Sequence, residues 1–228
     1  MSVVSPSFRS KVRASIEAPV AAVFIRLHFT PNMLTLIGFA ICVVGAILAG
    51  MQLWLAAALV VAFGSIFDLF DGALARATGK SSKLGAFLDS VFDRAGEATI
   101  YIGIAFGFLR SGFEFAGWVA MLAMAAAFMV SYTRAKSESL GFTPGTGMAN
   151  VGLAPREVRT VILVIGLLAA GLLGFTQTIY CLVAPCPQPL GTGGQLLVVA
   201  LGLIALLATL TVLQRIVHVY QQAKKEPS

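Results

Sequence analysis

The sequence predicts an all-α, polytopic membrane protein: six transmembrane helices plus an N-terminal amphipathic surface helix, with both termini cytoplasmic. Three observations carry this. Of 228 residues, 58% are hydrophobic and only 11% are charged, where a soluble domain carries roughly a quarter charged. The mean hydropathy is +0.89. The basic residues are also spread unevenly between alternate ends of the apolar runs.

Residues 1–29 read as a juxtamembrane segment. Arg9, Lys11, Arg13, Glu17 and Arg26 interrupt its apolar stretch, which excludes a cleavable signal peptide. The pattern suits a helix lying on the membrane with its basic side toward anionic headgroups. Residues 30–220 form the transmembrane domain, and 221–228 a polar C-terminal tail. Apolar runs predict spans at 31–50, 53–75, 85–109, 114–137, 157–176 and 193–215, each near the roughly 20 residues a bilayer requires. Thr30 and Pro31 make an N-cap and first-turn pair that opens the first span. Gly50 closes it, and a very short link leads to the second. Gly79–Lys83 is a polar turn, and 144–155 and 185–194 are Gly- and Pro-containing loops.

Of the 16 Lys and Arg, only Arg110 falls in the connections near 50–53, 110–114 and 177–192. The positive-inside rule therefore puts both termini on the cytoplasmic side. The net charge of +6 follows from this placement and implies no nucleic-acid partner. Cys42 lies mid-span as a packing residue. Cys181 and Cys186 flank a Pro-rich loop and form a disulfide if that loop faces an oxidising compartment.

The chemistry concentrates between residues 68 and 93. Asp68, Asp71, Gly72, Ala75, Arg76, Gly85, Asp89 and Asp93 stand at D-x2-D-G-x2-A-R-x8-G-x3-D-x3-D. Asp68 and Asp71 share one face of a helix, as do Asp89 and Asp93 on the next. The second span descends to the cytoplasm and the third rises from it, so the four carboxylates meet at one depth. They offer hard oxygen ligands for Mg²⁺-like ions. Ionisable side chains at a bilayer edge usually mark a site. Simple capping of two helix ends would not require four carboxylates with glycines between them.

This pattern resembles the signature of the CDP-alcohol phosphatidyltransferase family, with every fixed position filled. The resemblance implies transfer of the phosphatidyl group of a CDP-diacylglycerol-type lipid to the hydroxyl of a polar alcohol, with release of CMP. It implies Asp68, Asp71, Asp89 and Asp93 as ligands to two Mg²⁺ (or Mn²⁺) ions, with Asp93 also the catalytic base. Asn32, Thr35, Gly72, Arg76 and Ser82 are carried over as the CDP-donor site, and Ala75 and Gly85 as packing positions. Gly72 lets a nucleotide approach the helix backbone, and Arg76 can reach a phosphate. For Asn32 and Thr35, helix capping is the alternative.

The run Ser131-Tyr132-Thr133-Arg134-Ala135-Lys136-Ser137-Glu138 resembles the phosphatidylinositol-phosphate and archaetidylinositol-phosphate synthase subgroup. There the resemblance implies a phosphorylated acceptor, inositol phosphate, held by Arg134, Lys136 and Arg215. These three could instead be anchors snorkelling to headgroups. The subgroup's Pro-Glu-Arg run is shifted here to Pro155-Arg156-Glu157-Val158-Arg159, which leaves open whether Arg156 or Arg159 faces the site. A phosphatidylglycerophosphate synthase is the alternative within the family, although an arginine common there after the Pro-Asn-x-x-Thr segment is absent. A six-helix transporter is the non-enzyme alternative, but it would carry charges near mid-membrane in broken helices. The family resemblance further implies a homodimer, for which Gly103 and Gly107 offer a small-residue face.

Overall fold

The computed structural model describes residues 18–78, 82–142, 151–176 and 189–224, without the side chains of residues 18–21, 66, 68, 69, 71–73 and 75–78, among them Asp68, Asp71, Gly72, Ala75 and Arg76. The first 17 residues, and the Cys181–Cys186 pairing expected above, lie outside the described residues. Among the described residues there are seven helices and no strand: α1 (Ala18–Arg26), α2 (Pro31–Gly50), α3 (Trp54–Thr78), α4 (Lys83–Arg110), α5 (Glu114–Ser139), α6 (Arg156–Leu172) and α7 (Thr192–Ala223).

Local chemistry sets the ends of these helices. Thr30 caps α2 as its sequence predicts, accepting a hydrogen bond from the Met33 amide at 3.3 Å, with Pro31 in the first turn. The α2–α3 link is a turn at Gln52, whose φ is 64°. Its side chain donates to Ser111 Oγ at 2.7 Å, tying this turn to the one between α4 and α5. Three helices depart from the expected spans. α3 continues to Thr78, so the whole D-x2-D-G-x2-A-R motif is helical. α6 stops at Leu172 after 17 residues, because Gly174 takes a left-handed φ of 84° that ends helical pairing. α7 runs for 32 residues, past position 215.

The core is built from small side chains. α2 packs on α3 and α4, α5 on α4 and α7, and α6 on α3 and α7. Ala49, Ala57, Ala120, Ala123 and Ala208 are fully buried, and small residues let helix backbones approach closely. The tightest crossing is α2 on α4: a Cβ on Gly103 would lie 2.2 Å from the Ala46 carbonyl oxygen, and one on Gly107 2.6 Å from that of Ala49. The Gly103–Gly107 face expected to serve a dimer is therefore used inside the chain. Trp54, Phe108, Phe113 and Phe175 close one end of the bundle, with Trp54 and Phe175 ring centres 4.6 Å apart. At the other end α1 docks on α3 through Phe24, whose ring lies 5.7 Å from that of Phe67.

The exterior is apolar. Phe115, Trp118, Leu122, Val199 and Leu206 all stand more than half exposed, which suits lipid rather than water. Among the described residues, α2, α5 and α7 are long and apolar enough to cross a membrane. α3 and α4 carry the signature's charges in the halves nearest their connection, and α6 is short. The chain is an integral membrane protein.

Candidate active site

The signature straddles α3 and α4. Asp68 and Asp71 lie in the last turns of α3, and Asp89 and Asp93 in the first turns of α4. Ser82 starts α4 by capping it, its Oγ accepting from the Gly85 amide at 2.9 Å. A Cβ on Gly85 would sit 3.1 Å from that oxygen and 3.3 Å from Asn32 Oδ1. Asn32, Ser82 and Gly85 thus converge where the start of α2 meets the start of α4. Thr35, one turn into α2, donates to the Pro31 carbonyl at 3.2 Å and borders a cavity with Asp93.

Along α4, Asp89, Asp93 and Glu97 recur every four residues and so share a face. Two arginines from the start of α6 meet two of them. Arg156 Nη1 lies 2.8 Å from Asp93 Oδ2, and Arg94 lies 3.8 Å from the same oxygen. Arg159 grips Glu97 with both arms, Nε to Oε1 at 2.9 Å and Nη2 to Oε2 at 2.8 Å. Asp93 borders three cavities. One holds Thr35, one the arginines, and one opens between α4 and α5 beside Asp89.

The second of these, about 130 Å³, is lined by five guanidiniums (Arg94, Arg134, Arg156, Arg159, Arg215) and three carboxylates (Asp93, Glu97, Glu157). Arg215 is 4% exposed. Its Nε donates to the Val151 carbonyl at 3.0 Å and its Nη1 to that of Val130. Among the described residues no carboxylate lies within ion-pair distance of it. Arg134, more exposed, bonds Glu138 at 2.9 Å. With five guanidiniums against three carboxylates in its wall, the cavity is favourable to an anion.

The wall carrying Arg156 is pinned from α7. Thr211 Oγ1 accepts from the Leu153 and Ala154 amides, both at 3.0 Å, and donates to the Leu207 carbonyl at 2.8 Å. Gly152, with φ 123°, lies so close that its Cβ would fall 2.2 Å from Thr211 Cγ2.

Of the residues singled out in the sequence, the structure brings Asp93, Arg134 and Arg215 to one cavity, and Thr35 to its neighbour across Asp93. Lys136 does not join them: it lines an apolar groove with Tyr132, Leu140, Ile216 and Arg215. Both shifted arginines border the arginine cavity, but only Arg156 reaches Asp93. Sequence reasoning passed over Glu97 and Thr211. Glu97 had a signal, as a carboxylate one turn beyond Asp93 in an apolar helix. Thr211 had none, because a threonine in a long helix ordinarily bonds its own preceding turn.

Among the described residues, no three His, Cys, Asp or Glu side chains gather as metal ligands. The donor chemistry nonetheless suits a hard divalent ion. Asp89 and Asp93 border one open crevice.

The family model for CDP-alcohol phosphatidyltransferases matches residues 28–223. The chain belongs to this family. It is therefore a CDP-alcohol phosphatidyltransferase, an enzyme that transfers the phosphatidyl group of a CDP-linked lipid to an alcohol. Archaetidylinositol phosphate synthase of Pyrococcus horikoshii is 39% identical over 160 residues, covering 68% of this chain and 80% of that protein. Phosphatidylinositol phosphate synthase of Cutibacterium acnes is 36% identical over 214 residues, 90% of this chain and 93% of its own length. The crystal structure of Mycobacterium tuberculosis phosphatidylinositol phosphate synthase in complex with manganese and citrate superposes with a TM-score of 0.74. It shares 26% identity and covers 93% of each chain.

Proposed function

We propose that this CDP-alcohol phosphatidyltransferase uses a phosphorylated polyol, inositol phosphate, as its acceptor. The single observation that carries the reading is the arginine cavity bordered by Asp93, with buried Arg215 and Arg134 in its wall. The names of the two similar synthases support the same acceptor.

In this reading Arg134 and Arg215 hold the acceptor's phosphate. That grip orients the polyol so that one hydroxyl meets Asp93. Asp93 takes the hydroxyl proton as the alcohol oxygen attacks the donor's lipid-bearing phosphorus. A P–O bond forms there, and the P–O bond to CMP breaks. Asn32, Thr35, Gly72, Arg76 and Ser82 form the donor's nucleotide site. Asp68, Asp71, Asp89 and Asp93 hold two divalent ions, Mg²⁺ or Mn²⁺, which when bound neutralise pyrophosphate charge. The manganese in the M. tuberculosis synthase structure supports divalent-metal use. The reading also includes six spans with the site at the cytoplasmic face, and a homodimer whose interface is not the Gly103–Gly107 face.

The test is CMP release from CDP-diacylglycerol by purified enzyme with Mg²⁺, offered inositol phosphate, glycerol phosphate, serine or inositol in turn. Selective release with inositol phosphate is expected. Equal release with free inositol overturns the acceptor assignment and leaves the family membership standing.

A further inference from the structure

Two guanidinium–carboxylate pairs bridge α4 and α6, one helical turn apart: Arg156 with Asp93, and deeper in the bundle Arg159 with Glu97. They differ in kind. In the outer pair Arg156 Nη1 lies 2.8 Å from Asp93 Oδ2, and Arg156 keeps a third of its side chain exposed. The inner arginine is 1% exposed. Its Nε and Nη2 fork onto Glu97, and its Nη1 donates to the Ala154 carbonyl at 2.9 Å. Arg159 thereby joins α4, α6 and the last residues of the loop before α6.

A bidentate guanidinium–carboxylate contact fixes direction as well as distance, whereas the apolar packing of α6 on α3 and α7 is non-directional. Arg156 lies three residues before Arg159, on the same side of the helix. Whatever sets the rotation of α6 at Arg159 also sets where Arg156 stands.

We infer that Glu97 and Arg159 are positioning residues for the transfer reaction. They hold the first turn of α6 so that Arg156 stands on Asp93 and the arginine cavity keeps its shape. This rests on the reading of Asp93 as the base and of that cavity as the acceptor's.

Removing one partner alone would bury an uncompensated charge and endanger folding. Two variants avoid this. Glu97→Met with Arg159→Met replaces the pair by apolar chains of similar volume, a change often neutral for stability. Arg159→Lys keeps the charge but cannot form the fork. For both, acceptor kcat/KM is expected to fall about 10- to 100-fold, while donor KM and Tm stay at wild-type values. A double variant with wild-type acceptor kinetics, or with donor KM, acceptor KM and Tm all degraded together, overturns the positioning role. Arg134→Gln, measured alongside, separates the two claims. A raised acceptor KM there beside a wild-type-like double variant overturns positioning alone. Unchanged acceptor KM in both overturns the cavity reading and this inference with it.

Discussion

At the residue scale, Asp93 is where the site's functions meet. It borders the Thr35 cavity, the arginine cavity and the crevice toward Asp89. If it is the base, Asp93→Asn lowers turnover by about 10²- to 10⁴-fold while titration still detects donor binding. Loss of donor binding together with turnover would make it chiefly a ligand-holding residue. The basic residues make a second prediction. Arg134 borders the cavity with Asp93, whereas Lys136 faces an apolar groove on another side of α5. Lys136→Gln should therefore leave acceptor KM within about twofold of wild type, where Arg134→Gln raises it about 10- to 100-fold. Sequence spacing placed Arg134, Lys136 and Arg215 together because all three fall at the same end of their helices. Two residues apart on a helix means roughly opposite faces, and that is what divides Arg134 from Lys136.

At the scale of elements, helices α2 through α7 fall on the six apolar runs read from the sequence, because apolar runs and caps such as Thr30 are local signals. Some ends moved, and for α6 a single torsion is the cause. α3 runs on through its aspartates, Gly174 cuts α6 short, and α7 continues to Ala223, while within it Thr211 and Arg215 clamp the 151–155 loop. No pattern in the sequence announces that clamp, since its partners are backbone groups 57 to 64 residues away. It yields a prediction. Thr211→Val leaves two loop amides without their acceptor, a loss of about 1–3 kcal/mol for each unsatisfied buried group. Both lowered Tm and raised acceptor KM are expected, with donor KM unchanged. The α2–α4 crossing yields another. Gly103→Leu forces a side chain against Ala46 and should destabilise the fold by about 1–3 kcal/mol or more, read as a lower Tm in detergent.

At the scale of the whole molecule, one charged end and an apolar exterior organise the chain. Phe115, Leu122 and Val199 face outward, while Asp93, Glu97 and four of the five cavity arginines are gathered near the connections α3–α4 and α5–α6. A lipid-linked donor can arrive laterally at that depth, and a polar acceptor from the adjoining water. The composition and the aspartate spacing made the membrane class and the family legible without coordinates. The arginine cavity was not, because it is assembled from α4, α5, α6 and α7, and three of its arginines are held by partners distant in sequence. Its anionic preference is the central claim. The most direct measurement is the ratio of kcat/KM for inositol phosphate over free inositol, in wild type and in Arg134→Gln, with CDP-diacylglycerol and Mg²⁺ saturating. A charge-assisted contact with a phosphate contributes about 1.5–3 kcal/mol. The wild-type ratio should therefore be large and should fall about 10- to 100-fold in Arg134→Gln, with kcat/KM for free inositol nearly unchanged. A wild-type ratio near one, or a ratio that survives the substitution intact, would contradict the account.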